Sequence, residues 1–286
     1  MFSRFILINF PGLGVGDVRN SSGSDHSLEQ LLKYVYDQQL VFDLSGLESI
    51  GFDAFVRYDG AQARKSSVTA RLASRKIYGE DDFAALNELG GGDENHLPVF
   101  SEFSQSSSEE PGDDIFLISI GADESLVPAY EHIITASDAQ TKDELIDVIS
   151  APLVRNECVV VTLGDFREAA LEGNPTFAAA CLAHLSKTVS DIMPLLGSAD
   201  GLLVLSTTSI DATATKPEFR NELTPMMFHA PMGQIHDLGL RLLADVGPSI
   251  AEFFGRDRTS FIGASMGKWM AVQENPQEQP QTPIHS

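Results

Sequence analysis

Short apolar, β-branched runs alternate with segments of helical period along these 286 residues, and this alternation limits the fold more than any other feature. Phe5 to Phe10, Val159 to Leu163, Leu202 to Leu205 and Met226 to His229 read as strands. The run Val159-Val160-Val161-Thr162-Leu163 is continuous, as in a strand covered on both faces. Between them lie helices. Ser27-Leu28-Glu29-Gln30 has the form of a capping box, and Leu28, Leu31, Leu32 and Val35 then follow at helical spacing. Thr141-Lys142-Asp143-Glu144 predicts a second such start, with Leu145, Val148 and Ile149 on the buried face and Pro152 as the stop. Asn174-Pro175 places an N-cap before a proline at the first helical position, opening a helix through Phe177, Cys181, Leu185 and Val189 to Pro194. Gly247-Pro248 leads into a last helix through Ile250, Phe253 and Phe254. The order predicts an α/β fold: a doubly wound, mostly parallel sheet in a three-layer α/β/α sandwich. It is expected to form one domain over residues 1–272. Gly90 to Asp114, rich in Gly, Ser and acidic residues, reads as a flexible connection, and residues 273–286 as a disordered tail.

The chain carries 41 acidic against 19 basic residues, so its formal charge is 19 − 41 = −22. Such a surplus repels phosphate backbones and anionic lipid, which argues against nucleic-acid and membrane-surface partners. Apolar runs such as Phe5 to Ile8 fall far short of the ~20 residues of a membrane span. The opening Met1-Phe2-Ser3-Arg4 followed by Phe5 to Ile8 reads as a first strand, not a signal peptide. Cys158 and Cys181 alone make no disulfide framework, which points to a reducing cytoplasm. The seven histidines are dispersed, with no pair at ligand spacing on one helix.

In a doubly wound sheet, ligands bind beyond the C-terminal strand ends. Three loops qualify. Pro11-Gly12-Leu13-Gly14-Val15-Gly16-Asp17 follows the first strand but has Asp17 where a dinucleotide loop needs glycine, so it reads as a plain turn. Gly164-Asp165-Phe166-Arg167-Glu168 and Ser206-Thr207-Thr208-Ser209-Ile210-Asp211 follow the next two strands.

The order of these segments resembles phosphopentomutase, of the alkaline phosphatase superfamily. Phe5 to Gly16 is similar to the family's opening strand and turn, and Ile120-Gly121-Ala122-Asp123 to the strand after its cap domain. Val161 to Phe166 is similar to L-V-D-F-D, Leu202 to Thr213 to the strand ending in A-D-H-G-x-D-P-T, and Glu222-Leu223-Thr224-Pro225 to E-x-V-P. Gly239 to Gly255 follows the family's G-x-R-x-x-F-A-D-I-G-A-T-I-A-x-x-F. The resemblance implies an alkaline-phosphatase-like sheet and an ancestral reaction in which two Mn²⁺ ions and a phosphothreonine move phosphate between ribose oxygens.

The positions that carry that chemistry depart from the family. Its metal-binding positions fall on Pro11, Arg167, Glu172, Thr207, Thr208 and Phe219, and its phosphoacceptor segment on Lys65 to Gly79, with Thr69 and the basic residues Arg71 and Arg75. Proline, arginine, threonine and phenylalanine do not supply the anionic and imidazole donors two divalent ions need, so no metal or cofactor is expected. The cap domain is replaced by the polar connection. Asp165, Asp211, Arg71 and Arg75 are the candidate residual ligand contacts, although an aspartate after a strand commonly caps the next turn; Asp211 is expected to organise the loop before Thr213. Three readings follow: a catalytically inactive relative serving as a binding, scaffold or regulatory module; an enzyme of metal-independent phosphate-ester chemistry; or a metal-dependent phosphopentomutase with a rebuilt site. The first is favoured, with a protein partner of basic surface or a second copy as its target.

Overall fold

The computed structural model describes residues 3–17, 26–55, 67–74, 85, 88–89, 115–121, 131–229, 236–256 and 261–267. The expected connection at 90–114, the tail at 273–286 and Arg75 lie outside the described residues.

Strand β1 (Arg4–Asn9) lies at the centre, hydrogen-bonded in parallel to β6 (Asn156–Thr162) on one side and β7 (Asp200–Leu205) on the other. Beyond β6 come β4 (Ile115–Ile120) and the short β5 (Glu131–Ile133), both parallel. Beyond β7 the direction changes. β8 (Glu222–His229) is antiparallel to β7, then β3 (Val68–Ala73) is antiparallel to β8, and β9 (His236–Leu242) runs parallel to β3 at the edge. The two-residue β2 (Gly16–Asp17) pairs with the start of β8. The sheet is therefore mixed and mostly parallel, as the alternation predicts.

Burial on both faces accounts for the continuous apolar runs. Ile6 and Ile8 of β1 turn toward one core, shared with α1 (Ser27–Asp37), α2 (Ser45–Ser49), α3 (Asp138–Ser150), α4 (Asp165–Leu171) and α5 (Pro175–Ile192). Phe5 and Leu7 turn to the other, with α6 (Val246–Phe253), Leu89 and Met266. Period-two alternation along one strand thus divides its side chains between two helical layers. At its base, buried Arg4 donates to Glu157 at 2.9 Å and to the carbonyl of Ile149 at 2.7 Å, closing the end of α3.

Two helix starts differ from expectation. Ser27 is not a cap but the first residue of α1; no side chain of the N-cap residue His26 caps it, and the Ser27 N–H and hydroxyl both donate to Glu222, 195 residues away. A long-range carboxylate has replaced the local cap. Helix α3 begins at Asp138, not near Thr141: Ser137 is the cap, its hydroxyl accepting from the Gln140 N–H at 3.4 Å, while the Thr141 hydroxyl lies one turn in and donates to the Ser137 carbonyl. At α5 the sequence reading holds, with Asn174 accepting from the Phe177 N–H ahead of Pro175.

Candidate functional site

At the C-terminal edge of β1 and β7 the chain turns three times within a small volume. The Phe10 N–H donates to the Leu205 carbonyl at 2.9 Å, and the Gly12 N–H to the Thr208 carbonyl at 3.1 Å. Gly12 stands at φ +110°, and a side chain there would meet the Phe166 ring at 3.0 Å and the Arg167 backbone at 3.4 Å. The loop after β1 is thereby pressed against the first turn of α4. Contact of the Phe10 ring with the Phe166 ring, tilted by 44° at 4.8 Å between ring centres, fixes the same approach.

Polar groups then line up along the edge. The Thr207 hydroxyl donates to Asn9 Oδ1 at 3.2 Å. Ser206 accepts from the Leu13 N–H and donates to the Thr208 carbonyl at 2.8 Å, which holds the turn. The Thr208 hydroxyl is buried and has no hydrogen-bond partner among the described residues. Across the turn, Ile210 bridges to Phe219, and the Arg167 guanidinium lies 5.6 Å from the centre of the Phe219 ring, within cation–π range. Pro11, Arg167, Thr207, Thr208 and Phe219 therefore come together around the ends of β1, β6 and β7.

Asp211 closes the far side. One oxygen accepts from the Thr213 N–H at 3.0 Å and hydroxyl at 2.7 Å, the loop-organising role expected of it; the other pairs with Arg220 at 2.7 Å. Arg220 also approaches Glu222 at 3.6 Å, and Glu222 accepts from the Ser27 N–H and hydroxyl and the Ser209 hydroxyl. A carboxylate at the first turn of α1 is favoured by the helix dipole as well as by these donors.

Three expected members lie elsewhere. Thr69 sits mid-strand in β3, level with Val204 through Met227, fully buried, its hydroxyl directed to the His236 carbonyl at 3.5 Å. That places the Thr69 hydroxyl inside the sheet, two strands from β7. Arg71 donates to the Ala54 carbonyl at 3.0 Å, lies 5.5 Å from the Phe55 ring and reaches Asp237 at 3.9 Å; it ties β3 to its neighbours two strands from β7. Glu172 is exposed at the far end of α4. Asp165, at the start of that helix, faces the first turn of α3: its carboxylate accepts from the Asp138 N–H and Asp138 accepts from the Asp165 N–H, both at 3.4 Å.

Asn9, Asp138, Arg220 and the reach of Glu222 are not foreseen from the residues alone. Asn9 ends the first strand, and Asp138 stands in the Ser137-Asp138-Ala139-Gln140 start; those local signals were available. The Glu222 contact spans the whole core and leaves no local trace.

Two metal ions would need several carboxylates or imidazoles around each. Among the described residues no three of His, Cys, Asp and Glu converge, and the edge offers hydroxyls, an amide, an arginine and a phenyl ring. This donor set does not fit the pair of ions that the resemblance implies. Both cysteines are free and buried, and burial pushes each thiol up to about 12.

No family model and no curated protein matches the sequence. Solved structures match the fold. The chain is similar to the 2-O glycosaminoglycan sulfatase BT1596, with a TM-score of 0.60 at 12% identity, covering 96% of this chain and 75% of that one. It is also similar to the lipoteichoic acid synthase LtaP from Listeria monocytogenes, with a TM-score of 0.54 at 8% identity, covering 94% and 76%. PH0037 from Pyrococcus horikoshii gives a TM-score of 0.54 at 10% identity, over 91% of this chain and 99% of that one. At such identities the likeness concerns the backbone alone. The chain has the alkaline phosphatase-like α/β fold, the fold of its sulfatase and synthase neighbours. Among the described residues no helix is long and apolar enough to cross a membrane.

Proposed function

We propose that this protein is a phosphopentomutase-like binding, scaffold or regulatory module in which the ligand edge of the sheet has exchanged metal-assisted ester chemistry for direct contacts. The observation that carries the reading is the Arg167 guanidinium over the Phe219 ring, beside the Thr207–Asn9 hydrogen bond. A fixed cation there raises the electrostatic cost of a divalent ion and favours an anionic or polar surface group in its place. The two aspartates nearest the edge are engaged, Asp211 by Arg220 and Asp165 by the first turn of α3, which leaves neither poised as a base. The −22 charge favours a partner with a basic surface, drawn in by attraction that salt weakens. A cytoplasmic setting fits the two buried free thiols.

The test pairs activity with association. Purified protein is given ribose 1-phosphate or deoxyribose 1-phosphate with Mn²⁺, and is separately recovered from native cells at low and high ionic strength. No isomerisation is expected, with a partner or second copy retained at low salt and released at high salt. Isomerisation of the pentose phosphate by a lone monomer would overturn the reading in favour of an enzyme.

A further inference from the structure

On one face of the sheet, near the ligand edge, five strands each carry a buried polar atom left unmatched. His132 Nδ1, the Ser119, Thr162 and Thr224 hydroxyls and Arg241 Nε have no hydrogen-bond partner among the described residues. Register fixes the face. Thr162 stands two residues beyond Val160 and Thr224 two before Met226, and both of those apolar neighbours belong to the core with α6. Ser119 is level with Val160, and His132 with Ser119. Leu72, of the same core, is level with Thr224 on one side and with Arg241 on the other. Asn9, level with Thr162, and Thr207, bonded to Asn9, fill the centre of the band. Arg167 does not belong to it, since Phe219 packs against the opposite core. Arg241 forms no ion pair among the described residues, although acids outnumber bases 41 to 19 in this chain.

A hydroxyl both donates and accepts, whereas a guanidinium only donates, through a fork that fits a carboxylate. Water satisfies orphaned hydroxyls one by one, but an arginine without a carboxylate in a chain of charge −22 calls for an anion from outside. One unpaired cation matches one negative charge. A phosphate dianion would leave its second charge unbalanced in that field. We propose that the band from Arg241 through Thr224 and Thr207 to Thr162 binds a sugar acid, with its carboxylate on Arg241 and its hydroxyls on the threonines. Arg241 and Thr162 are partly exposed, so the ligand enters at the strand ends. Such a ligand presupposes that the edge is a binding surface, as proposed, and gives that surface a chemical class.

The probe is D-glucuronate, titrated into the full chain labelled with carbon-13 at its threonine methyl groups. Saturable shifts are expected at Thr162, Thr207 and Thr224, and none at Thr188 of α5. D-Glucose lacks the carboxylate and should bind about tenfold more weakly, and Arg241→Met should erase that difference. Thr224→Val should weaken glucuronate severalfold; if that buried variant does not fold, Arg241→Met, at a partly exposed position, gives the decision. Three results would each overturn the proposal: no saturable shift at the three threonines, glucose bound as tightly as glucuronate, or a preference for glucuronate that survives in Arg241→Met. Inorganic phosphate that displaces glucuronate at equal concentration would overturn it as well. If the sugar acid fails while a partner is still retained at low salt, the ligand class alone is wrong; turnover of a pentose phosphate would instead remove the binding-module reading.

Discussion

Two acidic clusters occupy the same edge of the sheet and are neutralised in opposite ways. Near β7 and β8, Asp211 and Glu222 share Arg220, and every contact of Glu222 described above comes from an N–H, a hydroxyl or a guanidinium. At the α3–α4 junction, Asp138 and Asp165 exchange N–H contacts, the Gly164 backbone also reaches Asp138, and Asp138 keeps one buried oxygen unmatched. The first cluster is built of complementary charge and should respond to the loss of a partner. The second is built of like charge and should respond to pH. Adjacent placement at one edge does not imply one kind of energetics.

Removing the central acid of the first cluster should have the largest effect. Glu222→Ala strands the Ser27 N–H, two hydroxyls and one face of Arg220, and should cost about 3 kcal/mol in urea unfolding. The second cluster should show the reverse sign. The folded chain keeps a proton on Asp138 up to about 7 that the unfolded chain releases near 3.8, so this group's contribution is whole below 3.8 and is lost as pH rises to about 7. Asp138→Asn should therefore gain about 2 kcal/mol over the parent on the alkaline side, with the gain vanishing in acid. Urea midpoints measured across that range would decide it; a variant that is less stable than the parent at alkaline pH would erase the contrast. Asp211→Asn loses an ion pair with a half-exposed arginine and should cost about 1 kcal/mol, reduced in high salt. Thr208→Val removes a hydroxyl that has no partner and should change stability by less than about 0.5 kcal/mol, so any loss of partner binding in that variant would be read as contact and not as unfolding.

The parts of the molecule that were legible in the sequence are those set by local pattern. The central strands show because burial on both faces demands unbroken apolar runs, and α5 shows because Asn174 and Pro175 are its own start. The edge strand β9 was not legible, since His236-Asp237-Leu238-Gly239-Leu240-Arg241-Leu242 is half polar and interrupted by a glycine at φ +66°. Strand β3 was hidden by its own Arg71, whose charge is satisfied by Ala54 and Asp237 from other elements. The gathering of Pro11, Arg167, Thr207, Thr208 and Phe219 was visible only through the family resemblance, because 208 residues separate the first from the last and no spacing rule joins them. The start of α1 is not legible for the same reason, since the distant Glu222 carboxylate completes it, whereas the start of α3 is a local one at Ser137.

The central claim is that this edge holds its ligand without the metal ions of the resembling family, and calorimetric titration of the dialysed protein with Mn²⁺ tests it most directly. The account predicts no saturable binding at the edge, in the parent and in Thr207→Ala alike. Stoichiometric Mn²⁺ binding that disappears in Asp165→Asn or Thr207→Ala would contradict it, because those residues would then be ligands of a working metal site.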